Sequence, residues 1–252
     1  MEKHTELYKE LYNAIYPTHD KKFKERHLSN FVAMRGSRYD EKIGMDNVVR
    51  LMVVGRAVNG WGESMNTESA DTYANEATTL FESSDRFQIE WKMKNGESDP
   101  YSEYVELDED GAPRYNENGE KIIKQYHLSK SPFWSSALEI YKEISSNEPH
   151  EHTDWYEDIV WNNIYKVAPL KEGNPSTNLI YAQANICVEL LKEEIRLLKP
   201  THVLLVIDKS WISWISRNKV MFDFMDAFEG YKCYCHSVLK RSEEHTSELQ
   251  SR

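Results

Sequence analysis

The sequence predicts an α/β protein, specifically a three-layer α/β/α sandwich with a mostly parallel, four-stranded central sheet. Four apolar stretches have the length and composition of strands, and helical patterns alternate with them along the chain. This alternation is typical of a parallel sheet with helices on both faces. The four stretches are "RLMVVG" from Arg50, "DIVWNNIYKVAP" from Asp158, "THVLLVID" from Thr201 and "YKCYCHSV" from Tyr231.

The intervals between these stretches carry the predicted helices. "TELYKELYNAIY" has apolar residues at helical spacing behind Thr5, a plausible cap, and a more charged helix is expected over Lys21–Phe31. "TESADTYANEATTLFESS" predicts another helix, and "SPFWSSALEIYKEI" predicts one that begins at Ser131 and Pro132. The strongest helical pattern is "TNLIYAQANICVELLKEEIRLLKP", which ends before Pro200. The Trp-rich segment "KSWISWISRNKVMFDFMDAF" predicts one more.

The length of 252 residues favours one domain with insertions, which we place at 1–240. The polar, turn-rich segment 95–125 predicts an inserted hairpin or flap built from "EYVEL" and "KIIKQY", preceded by an alternating strand, "RFQIEWKMK".

The tail Arg241–Arg252 matches the in-frame translation of a short-read library adapter over its first eleven residues. We therefore interpret the tail as an artefact and expect the natural protein to continue after Lys240.

Composition limits the classes of function. The formal net charge of -11 repels a polyanion unless basic residues gather on one face. There is no run of 18 apolar residues and no signal-peptide core near the N-terminus, so we expect a cytoplasmic protein without a membrane partner. Three cysteines, Cys187, Cys233 and Cys235, are too few for an iron–sulfur cluster, and the histidines lack the spacing of a metal site. We therefore expect neither a metal nor a cofactor.

The first candidate loop follows the stretch "RLMVVG" and contains Arg56, Asn59, Trp61 and Glu63. It matches neither the phosphate-binding G-x-x-x-x-G-K-[ST] pattern nor the dinucleotide-binding G-x-G-x-x-G pattern. Taken alone, its glycine turn is better explained as a structural corner than as a binding loop.

The second candidate loop carries three amides, Asn162, Asn163 and Asn174, together with Lys166. An Asn side chain presents a donor and an acceptor side by side, which suits the edge of a nucleobase. The alternative is that Asn163 satisfies backbone groups at a strand end and that Asn174 is a turn residue.

The last candidate loop contains His236 and Ser237 at the end of the fourth apolar stretch. A single histidine is more often packed than catalytic, and Cys233 and Cys235 are more often core residues than ligands.

Together these positions resemble the uracil-DNA glycosylase superfamily, in particular bacterial branches related to its iron–sulfur enzymes. The "GRAVN" stretch, Gly55–Asn59, resembles the first motif of the family, and "SPFWSSAL" resembles the stretch whose Phe stacks on the base. The second motif is the most specific, and its matching positions are Asn163, Lys166, Pro169, Asn174, Cys187, Leu190, Glu194, Ile195, Lys199 and Pro200. The resemblance covers Arg50–Trp61 and Ser131–Ile207.

The resemblance implies a uracil-DNA glycosylase-like fold and a role for each matching position. Asn163 would recognise the base, Phe133 would stack on it, and the backbone around Gly55 and Ala57 would form a wall near the scissile bond. His236 would stabilise the leaving group. Asn59 and Glu63 are the nearest candidates to direct water, and the expected contacts to nucleic acid or phosphate are Arg56, Lys166 and Asn174.

Two functions follow from this resemblance. The first is hydrolysis of the N-glycosidic bond of a damaged or deaminated base in DNA. The second is a catalytically inactive protein of the same fold that binds a nucleobase, a nucleotide or a protein partner. Val58 stands where the family has proline, and Arg56 and Ala57 stand where it often has an acidic or amide residue, which favours the second function. A third interpretation, from the fold alone, is an α/β hydrolase or transferase of another kind, for which the sequence offers no G-x-S-x-G nucleophile motif.

Overall fold

The computed structural model describes residues 1–18, 23, 27–45, 48–57, 65–83, 89–92, 99–106, 108, 112–145, 152–170, 174–207, 232–236 and 250–251. The predicted mixed α/β class is confirmed. The helices are α1 (Glu2–Ile15), α2 (Ala70–Glu82), α3 (Pro132–Ile144) and α4 (Thr177–Leu198). The strands are β1 (Leu28–Asn30), β2 (Met34–Arg35), β3 (Leu51–Gly55), β4 (Tyr101–Val105), β5 (Ile123–His127), β6 (Ile159–Asn163), β7 (Val167–Pro169), β8 (His202–Val206), β9 (Lys232–His236) and β10 (Gln250–Ser251).

The main sheet has the order β10-β9-β8-β3-β6-β2. The four predicted strands are its centre, since β9, β8, β3 and β6 are neighbours and all run parallel. The sheet in the described residues is mixed and has six strands rather than four, because β2 and β10 add short antiparallel edges. β10 falls in the segment that we interpret as adapter-derived.

Helices cover both faces of this sheet. In β3, Met52 and Val54 belong to a hydrophobic cluster that includes α1, α2 and α4, whereas Leu51 and Val53 belong to a cluster that includes α3. Successive strand residues point to opposite faces, so one continuous apolar run supplies both clusters. This explains why the central strands lack a polar alternation in the sequence.

The second predicted strand is divided in two. After Asn163 the chain leaves the main sheet, and β7 pairs antiparallel with β1 in a separate two-stranded sheet. The expected helix over Lys21–Phe31 is therefore wrong at Leu28–Asn30, which is strand β1, and most of its earlier part lies outside the described residues. Thr5 is not the cap of α1 either, because this helix begins at Glu2 with Met1 as its N-cap.

Where the sequence predicts an inserted hairpin, β4 and β5 pair antiparallel, from Tyr101 opposite His127 to Val105 opposite Ile123. Of the expected strand "RFQIEWKMK", Lys92 forms a bridge with Tyr101, and most other positions lie outside the described residues. The predicted Trp-rich helix also lies outside them. None of the helices in the described ranges combines the length and apolar character needed to cross a membrane.

Candidate functional site

The candidate site lies at the carboxyl ends of β3 and β6, the edge at which open α/β sheets commonly bind ligands. Gly55 is the register partner of Asn163. Beyond this pair, the main-chain N–H of Ile164 donates to the Gly55 carbonyl and that of Tyr165 to the Arg56 carbonyl, both at 2.9 Å. The loops after the two strands are therefore held together by main-chain hydrogen bonds.

Gly55 allows two side chains to approach the end of β3 closely. A Cβ atom at position 55 would lie 2.5 Å from Oδ1 of Asn163 and 3.0 Å from Cε2 of Phe133. At 2.5 Å the Asn163 oxygen would have to move, so only glycine fits here without a shift of its neighbours. The structure thus brings together Gly55, Phe133 and Asn163, three of the four residues predicted to bind a base.

The start of α3 positions Phe133. Pro132 is in the first turn of the helix, and Oγ of the N-cap Ser131 accepts a hydrogen bond from the main-chain N–H of Trp134 at 3.3 Å. The half-buried Phe133 ring packs edge-on against Trp134, with 4.7 Å between ring centroids, and lies 6.1 Å from Trp161. The ring is therefore held by aromatic neighbours beside Asn163.

Asn163 carries an unused donor. The residue is 2% exposed, and within the described residues its Nδ2 has no hydrogen-bond partner. Leaving a buried donor unsatisfied costs about 1–3 kcal/mol, so such groups are rare and call for an explanation. A ligand with a carbonyl acceptor would satisfy this donor.

Lys166 does not lie where a phosphate contact would need it. Its side chain is fully buried, and Nζ donates to Oε2 of Glu194 at 2.7 Å and to Oδ1 of Asn162 at 2.5 Å. The predicted contact of Lys166 with nucleic acid or phosphate therefore does not fit its position, because its charge is already paired inside the protein.

For the other predicted site residues, the structure gives only their burial or their position in the sheet, or does not describe them. Ala57 is half-buried next to the exposed Arg56, and Asn174 is exposed shortly before α4. His236 is the last residue of β9, in register with Val206 of β8. It therefore lies at the same edge of the sheet as Gly55, two strands away. The predicted water-directing residues Asn59 and Glu63 lie outside the described residues. The roles assigned to these positions stay predictions.

Three polar residues beneath the site have structural roles that the sequence reasoning did not assign: Asn162, Gln183 and Glu194. All three are buried, and two of them lie on α4. The signal was present in the sequence, because Glu194 is four residues from both Leu190 and Leu198 on the apolar face of the predicted helix. A charged residue at such a position requires a buried partner.

Cys187, another α4 residue, belongs to the core and not to the site. It is fully buried, and this burial raises the pKa of its thiol to about 12. It therefore stays protonated and unreactive at neutral pH. The described ranges also contain no group of three or more His, Cys, Asp or Glu side chains that could hold a metal ion.

Comparisons of the chain with protein-family models, with curated proteins and with solved structures find no match.

Proposed function

We propose that the protein is a uracil-DNA glycosylase-like enzyme that hydrolyses the N-glycosidic bond of a damaged or deaminated base in DNA, on a uracil-DNA glycosylase-like three-layer fold. The observation that carries the proposal is the convergence of Gly55, Phe133 and Asn163 at one edge of the sheet, where Nδ2 of Asn163 has no partner among the described residues. The sequence resemblance assigned base binding to these three positions, and they are far apart in the chain.

The three residues supply what a flipped base needs. An extruded base is held by an aromatic or apolar face and by hydrogen bonds to its edge. The Phe133 ring offers the face, and Nδ2 of Asn163 offers a donor for a base carbonyl. The absence of a side chain at Gly55 lets both side chains approach the end of β3 closely.

In the proposed reaction, the bond between C1′ of the sugar and the base nitrogen breaks, and a water oxygen bonds to C1′. The electron pair of the broken bond leaves with the base, and the proton released from water returns to solvent or to the base. The Nδ2 donor of Asn163 would stabilise the negative charge that develops on the base carbonyl. Asn59 or Glu63 would direct the water, and His236 would assist the leaving group.

A second candidate function is binding of a nucleobase or nucleotide at the same site without hydrolysis. The burial of Lys166 against Glu194 favours it, because this lysine adds no surface charge for a DNA backbone. The formal net charge of -11 also favours this second function, because it repels the DNA backbone.

Uracil release from single-stranded and double-stranded oligonucleotides containing deoxyuridine tests the first function, and calorimetric titration with free uracil tests the second. Both are measured on the full natural chain and on Asn163→Ala, with Asn178→Ala on the exposed side of α4 as the matched control. We expect Asn163→Ala to lower release by about 100-fold, as the loss of a transition-state donor does elsewhere, and Asn178→Ala to match the wild type. Binding without release would support the second function instead. Neither release nor binding would overturn both.

A further inference from the structure

Lys166, Asn162 and Glu194 form a closed, fully buried triangle of hydrogen bonds. Nζ of Lys166 donates to Oδ1 of Asn162 at 2.5 Å and to Oε2 of Glu194 at 2.7 Å, and Nδ2 of Asn162 donates to the same Glu194 oxygen at 2.9 Å. Each side chain in the triangle contacts both of the others. None of the three is exposed to solvent.

The triangle is linked directly to Asn163. Oδ1 of Asn162, which accepts from Lys166, also accepts the main-chain N–H of Asn163 at 2.8 Å. Asn162 and Asn163 are neighbours in β6, so their side chains point to opposite faces of the sheet. The triangle therefore lies on the α4 face and holds the backbone of a residue whose side chain lies on the α3 face.

Stability alone does not explain this arrangement. A buried ion pair gains little over two apolar residues of similar volume, because removing both charges from water is costly. Burial opposes the charged form of Glu194, but Lys166 and His4 outweigh it, and the pKa of Glu194 lies below its usual value. The carboxylate thus stays charged and keeps Lys166 in place.

The main chain of the loop after Asn163 is also fixed by hydrogen bonds. The Phe31 N–H donates to the Lys166 carbonyl at 2.7 Å, and Oε1 of Gln183 accepts the main-chain N–H groups of Lys166 at 3.1 Å and Val167 at 2.9 Å. The backbone on the C-terminal side of Asn163 is therefore fixed by helix α4 and by the segment after β1. A binding group held in this way does not have to be ordered when the ligand arrives.

We propose that Lys166 and Glu194 are positioning residues for Asn163, acting through the Asn162 side chain that accepts the Asn163 main-chain N–H. Their effect on a ligand rests on the proposed nucleobase function, whereas their effect on Asn163 itself does not. The triangle adjusts the direction of the Asn163 side chain from the opposite face of the sheet. Neither Lys166 nor Glu194 contacts the ligand in this role.

Two variants test the proposal. Lys166→Met/Glu194→Leu removes both charges together and avoids an unpaired buried ion. Asn162→Ala removes the acceptor and leaves the Lys166–Glu194 pair intact. Amide hydrogen exchange by NMR then reports on the Asn163 N–H, with the Val53 N–H in the centre of β3 as the internal reference. We expect Asn163 to exchange at least about tenfold faster in both variants while Val53 is unchanged, as for a local opening.

The matched control is Lys42→Met, which disturbs another buried ion pair, with Asp158 at the opposite end of β6. It should leave the exchange of Asn163 unchanged. In calorimetric titration, both test variants should bind free uracil about tenfold more weakly than the wild type, a modest loss for a displaced binding group.

Unchanged exchange of Asn163 in either folded test variant would overturn the positioning role, whatever the affinity for uracil. If the wild type neither releases nor binds uracil and the exchange result is as expected, the proposed function fails and the positioning role stands.

Discussion

At the scale of single residues, Gly55 decides how the candidate site is built. The other residues of β3 are large and apolar, and their side chains fill the space on both faces of the sheet. At position 55 this space is occupied instead by the Asn163 amide and the edge of the Phe133 ring. The absence of one methyl group thus gives two distant parts of the chain a common place to meet.

Gly55→Ala is expected to lower the free energy of unfolding by about 1–3 kcal/mol, the usual cost of overpacking a filled site. The added Cβ would lie 2.5 Å from Oδ1 of Asn163, so the amide must move and uracil binding should weaken. Urea denaturation and calorimetric titration measure the two effects. Gly119→Ala is the control, because it strains a backbone with φ of +78° where nothing lies within 4 Å. It should lower stability without changing binding, and an unaltered affinity in Gly55→Ala would contradict the expectation.

The sequence was informative about which residues meet and misleading about Lys166. Gly55, Phe133 and Asn163 were identified from motif resemblance, and the structure places them together. Lys166 belongs to the candidate loop that also carries the three amides, where a lysine usually reaches solvent. Its partner Glu194 is 28 residues away on a helix, and pattern reasoning does not show which face of that helix meets the loop.

At the scale of elements, α4 acts as a clamp on the chain between β6 and β7. Gln183 is fully buried, and its amide accepts from the main chain of Lys166 and Val167 and donates to the Val167 carbonyl at 2.7 Å. One side chain therefore satisfies three main-chain groups where the strand leaves the sheet. The helix thus pairs the main-chain groups of Lys166 and Val167, where the chain passes from β6 to β7.

Gln183→Leu should lower the free energy of unfolding by about 3 kcal/mol or more, because three buried main-chain groups lose their partner. Lys192→Met, a change on the more exposed side of α4, should alter it by less than about 0.5 kcal/mol. Urea denaturation of both variants measures the difference. Equal stability of the two variants would mean that the main-chain groups find other partners.

The central strands and the long helices were predictable because each depends on a local pattern. The division between β6 and β7 was not, since apolar residues occur on both sides of Lys166 and no Gly or Pro separates the two strands. What ends β6 is a set of hydrogen bonds from Ile164 and Tyr165 to β3 and the loop after it. Such bonds depend on a neighbouring strand more than 100 residues earlier in the chain.

At the scale of the whole molecule, a second charge cluster, centred on the buried Asp158, connects the opposite end of β6 to the rest of the fold. The Asp158 carboxylate accepts from Nε and Nη2 of Arg38, both at 3.1 Å, and from the Tyr141 hydroxyl at 2.6 Å, and Nζ of Lys42 lies 3.2 Å away. Burial opposes the charged form, but these partners outweigh it. The pKa of Asp158 therefore lies below its usual value.

A carboxyl whose pKa is lower in the folded than in the unfolded protein stabilises the fold above its unfolded pKa, which is about 3.9 for aspartate. This contribution is lost as the pH falls through the folded pKa. Asp158→Asn should therefore be less stable than the wild type near neutral pH, and the two stability curves should converge in acid. Urea denaturation across the pH range measures both curves. The exposed Glu41→Gln should follow the wild-type curve, and parallel curves for Asp158→Asn would exclude this linkage.

Because two adjacent amides of β6 lie on opposite faces of the sheet, a mutation on one face should affect ligand binding on the other. Asn162 is bound to α4 on one side of the sheet, whereas Asn163 faces Phe133 on the other. If every residue is substituted in turn, the substitutions that weaken ligand binding should therefore lie on both faces of the sheet. Positions at which substitutions weaken ligand binding should extend from the site through the sheet to the outer helices. The side of α4 that carries Gln183 and Glu194 should be among the most affected, although it lies on the face opposite the site.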